Sequence, residues 1–192
     1  MDYLVYQLSE LPAGYSDPTG LPEAEQPAAL RRGESYTKCR RILLCELSRR
    51  TGLEQGAIHF TYSEHGKPEF PLQPFNMSHS GDCLCIGFHH LPIGVDVERI
   101  RPRNYESLAQ RFMGEELLAD FIRQKCPQEM FFACWCAAEA LVKHAGDTMW
   151  HARNYPFIYR HGRIECLFPD APEVILFTPL PGYQGAIAYT RN

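Results

Sequence analysis

The sequence has no long hydrophobic run. Its longest unbroken apolar stretch, Met130 to Ala138, falls far short of the roughly 20 residues that cross a bilayer. It has no excess of positive charge either. Nineteen Lys and Arg against 23 Asp and Glu leave a net charge of −4, which excludes a protein that coats nucleic acid by bulk charge. The opening residues, MDYLVYQLSEL, lack the basic stretch and apolar block of a signal peptide. A soluble cytoplasmic protein with no membrane or nucleic-acid partner is therefore expected. No G-x-S-x-G elbow is present, which argues against a hydrolase built on Ser78 and His79. The eight cysteines (39, 45, 83, 85, 126, 134, 136 and 166) include two C-x-C pairs, but neither has the gap usual in structural zinc sites. Both pairs sit in apolar runs, so buried structural thiols are expected, with a thiol-rich metal module as the alternative.

What is present is an ordinary globular composition: 192 residues, 45% hydrophobic and 22% charged, enough for a sizeable core. The chain also repeats an order of elements. The first half opens on a strand candidate, Asp2 to Leu8, then a loop rich in Pro and Gly at 12–27. A helical stretch from about Ser35 to Arg50 ends at Thr51-Gly52, and IHFTY and FNMSHSGDCLCIGFHH flank a turn from Ser63 to Pro68. The second half has a strand at Ile93 to Ile100, two helical stretches separated by Gly114, and a more apolar helix ending at Ala145-Gly146. YPFIYRHGRIEC and VILFTPLPGYQGAIAYT then close the chain. The expectation is an α+β fold of two similar lobes, each a small antiparallel sheet packed on a long helix, with pseudo-twofold symmetry. Residues 1–91 would form one lobe and 92–192 the other, with the active site in the cleft between them and a monomer as the oligomeric state.

Candidate chemistry sits in four places. Gly94-Val95-Asp96-Val97-Glu98 alternates with period two, so Asp96 and Glu98 share a strand face. Carboxylates so placed suit a hard cation such as Mg²⁺, or simply a solvated face. Glu139 and Lys143 form an i, i+4 pair beside Trp135, at the edge of an apolar stripe of Phe131, Ala138, Val142 and Ala145. Phe75-Asn76-Met77-Ser78-His79-Ser80-Gly81 offers hydroxyl and imidazole groups able to hold phosphate, or marks a turn. Residues 31–50 carry seven basic side chains against two acidic ones; a helical wheel sets Lys38, Arg41 and Arg49 opposite Tyr36, Leu43 and Leu47. That face could be merely solvated, or could hold phosphate or an acidic partner.

Together, GKP at 66–68, FNMSHS at 75–80, GVDVE at 94–98 and WCAAEALVK at 135–143 occur in an order that resembles the 4′-phosphopantetheinyl transferases of the larger pseudo-dimeric type. RRILL at 40–44 and RF at 111–112 also fit, and the correspondence covers roughly 31–146. The resemblance implies an enzyme that moves the phosphopantetheine arm of coenzyme A to a serine of an apo acyl or peptidyl carrier protein, with Mg²⁺ as cofactor. It implies Asp96, Glu98 and Glu139 as metal ligands and Lys143 beside a phosphate oxygen. Arg41, Lys67, Ser78 and His79 would bind the nucleotide of coenzyme A. Glu139 is the candidate base, and the 31–50 segment or Arg99, Arg101 and Arg103 could steer an acidic carrier. The helical stretch at 105–125, with Phe112 and Met113 near its break, is expected to form the apolar part of that contact. The family pattern W-x-x-K-E-x-x-x-K departs at Ala138, where it has lysine. A non-catalytic binder of coenzyme A or carrier protein is thus the alternative, and Ala138→Lys should raise the rate if the departure is a true deficit.

Overall fold

A computed structural model describes residues 1–64, 66–124 and 127–191. His65, in the expected turn, and Cys126 lie outside the described residues. The strands are β1 (Asp2–Gln7), β2 (Thr61–Tyr62), β3 (Pro68–Glu69), β4 (Phe75–Ser80), β5 (Cys83–Phe88), β6 (Ile93–Arg99), β7 (Phe157–Arg160), β8 (Arg163–Cys166), β9 (Glu173–Phe177) and β10 (Tyr183–Tyr189). The helices are α1 (Gln26–Arg32), α2 (Glu34–Thr51), α3 (Tyr105–Phe112), α4 (Glu115–Ile122) and α5 (Pro127–Ala145). None of the described helices is long and apolar enough to cross a membrane.

The fold is α+β, and its repeat is visible in topology. One three-stranded sheet runs β1-β5-β4 and the other β6-β10-β9; each half also carries a two-stranded pair, β2-β3 and β7-β8. In each half the last strand lies in the middle, between the first and the one before it. Contacts divide the chain into Met1–Val5 with Phe75–Asn192, and Tyr6–Pro74. This division differs from the expected boundary near residue 91. The reason is that Cys83 and Cys85 of β5 share a core cluster with Ile93, Val95 and Val97 of β6 and Ile187 of β10, so β4 and β5 stay with the second half.

In the larger unit the period of β6 turns Val95 and Val97 into the core, where both are buried. Helix α5 buries Phe131, Phe132, Cys134, Cys136, Ala137, Ala140 and Leu141 in the main cluster, each large side chain contributing about 1.5–3 kcal/mol. Its end is sharply set. Gly146 adopts φ +71°, its N–H reaches Lys143 O, and the Asp147 N–H reaches Val142 O, a Schellman stop just after the turn that carries Lys143. At Gly94 the strand and helix touch backbone to backbone: a methyl there would lie 1.9 Å from Ala140 O and 2.5 Å from His144 N. The cysteine expectation holds for both C-x-C pairs, which are fully buried. Burial pushes the Cys83 thiol up to about 11 and raises Cys85, Cys134 and Cys136 further, so these sulfurs are protonated core atoms.

The smaller unit corrects two expectations. Gln26 and Pro27, expected at the end of the loop, instead open helix α1, because Pro27 falls in the first turn, where its missing N–H costs nothing. The expected outward basic face is largely engaged. Lys38 pairs with Glu34 at 2.8 Å and Arg49 with Glu46 at 2.7 Å, while Arg40 is buried against Glu25 at 3.0 Å.

Candidate active site

Three elements of the larger unit build the site. Strand β6 supplies Asp96 and Glu98, α5 supplies Glu139 and Lys143, and β4 supplies three alternating polar side chains. Strand β6 is the edge of its sheet, so one side of it lacks a backbone partner within that sheet. Side chains from β4 take that place. The Val95 N–H donates to Asn76 Oδ1 (2.7 Å) and the Arg99 N–H to Ser80 Oγ (3.1 Å). Between them, Ser78 Oγ donates to Asp96 Oδ1 (2.9 Å) and Ser80 Oγ to Glu98 Oε2 (2.9 Å).

Lys143 Nζ reaches down from α5 to Asp96 Oδ1 at 2.7 Å, Val95 O at 3.2 Å and Ser78 Oγ at 3.4 Å. Glu139 Oε2 lies 3.8 Å from the same ammonium. Burial alone would lower the Lys143 pKa, but the charges of Asp96 and Glu139 outweigh it and raise it, so Lys143 is a cation at neutral pH. Burial raises Glu139, the charges of Asp96 and Glu98 add to this, and Lys143 only partly offsets it. His79 projects from the opposite face of β4, and its pKa is lowered first by burial and then by Lys143, which favours the neutral ring.

The donor set suits a hard divalent cation, since it consists of carboxylate oxygens. Asp96 carries the most direct sign. Its side chain is only 6% exposed, yet its Oδ2 has no hydrogen-bond partner, a costly state unless a cation meets it. Together with the raised Glu139, this marks negative charge that the site's own cations leave unbalanced. Among the described residues, no three His, Cys, Asp or Glu side chains stand close enough as placed to enclose an ion; the Lys143 ammonium holds Asp96 Oδ1 in this arrangement. The residues fit Mg²⁺ by chemistry and by this orphaned oxygen.

The structure thus brings Ser78, Asp96, Glu139 and Lys143 together, with Glu98 along the same strand and His79 on the far side of β4. Arg41 and Lys67 belong to the smaller unit. There the Arg41 guanidinium donates to the carbonyls of Gly14 and Asp17 and lies over the Tyr15 ring. The Lys67 N–H donates to Ser63 Oγ at 3.1 Å. Phe112 and Met113, expected on a partner surface, are instead buried in the main core cluster; Phe112 packs edge-on against Trp135. Asn76 and Ser80 were missed as site-builders, although the N-x-S-x-S period of two was their available signal; Arg103, read as a steering charge, also pairs with Glu98 at 3.2 Å.

Ala138 is 2% exposed and packs in the cluster that holds Phe131 and Val142. A lysine here meets a filled core, whose overpacking costs about 1–3 kcal/mol. Ala138→Lys is therefore expected to lower Tm by roughly 2–10 °C without quickening turnover. Differential scanning fluorimetry beside an initial-rate assay checks this. A faster variant with an unchanged Tm would show instead that the side chain threads out to the site.

Residues 92–174 match the family model described as the 4′-phosphopantetheinyl transferase superfamily. The chain is 32% identical over 180 residues to the 4′-phosphopantetheinyl transferase psf-1 of Bacillus pumilus, covering 85% of this chain and 76% of that one. It is 27% identical over 155 residues to the 4′-phosphopantetheinyl transferase Sfp of Bacillus subtilis, covering 73% and 67%. With the transferase AcpT of Escherichia coli the identity is 40% over 96 residues, or 46% and 49% of the two chains.

Proposed function

Because this chain belongs to the 4′-phosphopantetheinyl transferase superfamily, we propose that it moves the phosphopantetheine arm of coenzyme A onto a serine of an apo carrier protein. In that reaction the serine oxygen attacks the phosphorus that bears the arm. An O–P bond forms, the pyrophosphate bond breaks, and 3′,5′-ADP leaves. Such transfer depends on positioning and on neutralising charge spread over phosphate oxygens. Lys143, held cationic by Asp96 and Glu139, supplies one fixed positive charge there. Asp96, Glu98 and Glu139 would hold Mg²⁺, which when bound offsets the negative charge of the pyrophosphate. Ser78 and His79 present a hydroxyl and a neutral imidazole for phosphate oxygens. Glu139, directly or through a water, would accept the serine proton. We assign Arg41 and Lys67 to the nucleotide end of coenzyme A.

The observation that carries this reading is the Ser78–Asp96–Lys143 cluster with its unpartnered carboxylate oxygen. The test is the intact mass of an apo carrier protein after incubation with this protein, coenzyme A and Mg²⁺. A gain of one phosphopantetheine, abolished by chelation, is the expected result. Ala138 favours one second reading, a binder without turnover. Coenzyme A bound by the protein, with no mass gain across acyl and peptidyl carriers, would establish that reading instead.

A further inference from the structure

Asp96 and Glu98 are held by the same device used twice. Asp96 Oδ1 accepts from a β4 serine, Ser78, and from a cation, Lys143, while Oδ2 is left without a partner. Glu98 Oε2 accepts from the next β4 serine, Ser80 (2.9 Å), and from a second cation, Arg103 (3.2 Å). Among the described residues no hydrogen bond reaches Glu98 Oε1. Each carboxylate thus has one oxygen pinned and one presented.

We propose that Ser80 and Arg103 are positioning residues that fix the Glu98 side chain so that Oε1 faces the divalent cation of the transferase site. The inference rests on the transferase reading of that site. Both donors are themselves held. Ser80 Oγ accepts the Arg99 N–H, which leaves its own O–H free for Glu98. The Arg103 guanidinium lies 5.7 Å from the Phe132 ring centroid, in cation–π range. Arg103 is therefore an inward clamp rather than a free surface charge. Glu98 needs such a clamp more than Asp96 does, because a longer side chain loses more rotamer freedom when it is ordered. The arrangement also sets three carboxylates against two cations, leaving net negative charge for a bound metal. Partners that orient a metal ligand are worth about 10–100-fold in metal affinity when removed.

The probe is Mn²⁺, titrated into the full chain and read from the electron paramagnetic resonance signal of the free ion. Ser80→Ala is expected to weaken binding by about 10–100-fold, and Ser80→Thr, which keeps the hydroxyl, to stay within about threefold. Arg103→Lys keeps the charge but loses the planar fork, and should weaken binding by at least about threefold. It serves as the second variant where Ser80→Ala fails to fold. Unchanged affinity in both Ser80→Ala and Arg103→Lys would overturn the clamp, as would a Ser80→Thr protein as weak as Ser80→Ala. A wild-type chain that binds no Mn²⁺ would overturn it too, whatever the carrier assay gives. Normal Mn²⁺ binding with the expected variant effects, but no carrier modification, would sink the transferase reading and leave the clamp standing.

Discussion

Gly94→Ala is expected to cost both stability and turnover, from a single added methyl. The new carbon would sit 1.9 Å from Ala140 O and 2.5 Å from His144 N. Both are backbone atoms of one continuous helical segment, so no side chain can swing aside to relieve the contact. Helix α5 must withdraw from β6 by an ångström or more. Overpacking of this kind costs about 1–3 kcal/mol where side chains yield, and here the helix itself must move. A Tm loss of roughly 5–10 °C follows for a chain of this size. The consequence for chemistry is larger. Lys143 and Glu139 ride on the segment that moves, while Asp96 and Glu98 stay with the strand. Misplacement by about 1 Å can cost 100-fold in rate, and that is the expected fall in carrier modification. Gly56→Ala, whose methyl meets open space, is the control and should alter neither quantity. A Gly94→Ala protein with the parent Tm and rate would show that the helix and strand do not depend on this contact.

That contact lies beyond what the amino-acid sequence alone makes legible. The strand face of Asp96 and Glu98 follows from a period of two, and the Glu139–Lys143 pair from i, i+4 spacing, because both depend only on local backbone geometry. The helix stop at Ala145-Gly146 was legible for the same reason. Facts about what each element packs against were not. A Pro-rich loop hid α1, since Pro27 in a first turn looks like any other breaker. Arg40 looked like its neighbours in a basic run, yet it is buried on Glu25 while Arg49 meets Glu46 at the surface. Phe112 and Met113 flanked a helix break and invited a surface role, but tertiary packing placed them in the core. Ala138 read as a lost charge, whereas it is 2% exposed and packs in the main core cluster. The repeat of element order was legible and recurs in the two sheet orders, but the contact boundary at Pro74–Phe75 was not, because the packing of β4 and β5 with β6 depends on side chains distant in sequence.

Lys143→Met is expected to show how far the site depends on one cation. The ammonium donates to Asp96 Oδ1, Val95 O and Ser78 Oγ and lies 3.8 Å from Glu139. Removing it leaves a buried Asp96 with one hydroxyl donor and an already unpartnered second oxygen. Breaking a buried pair from one side costs about 3–5 kcal/mol, because the remaining charge is neither solvated nor matched. A Tm loss on the order of 10 °C is therefore expected. Transfer should fall by about 100-fold or more, the scale for loss of a fixed electrostatic group at a reacting centre. The double variant Lys143→Met with Asp96→Asn separates the two effects. Its stability loss should be smaller than the sum of the single losses, by about 1–3 kcal/mol, since the orphaned charge departs with its partner. Its activity should remain as low as that of either single variant, because both groups belong to the same reacting centre. Additive stability losses would mean that the Lys143–Asp96 contact does not hold the two elements together. A Lys143→Met protein with normal transfer would remove the lysine from the proposed chemistry and leave it as a structural pin between α5 and β6.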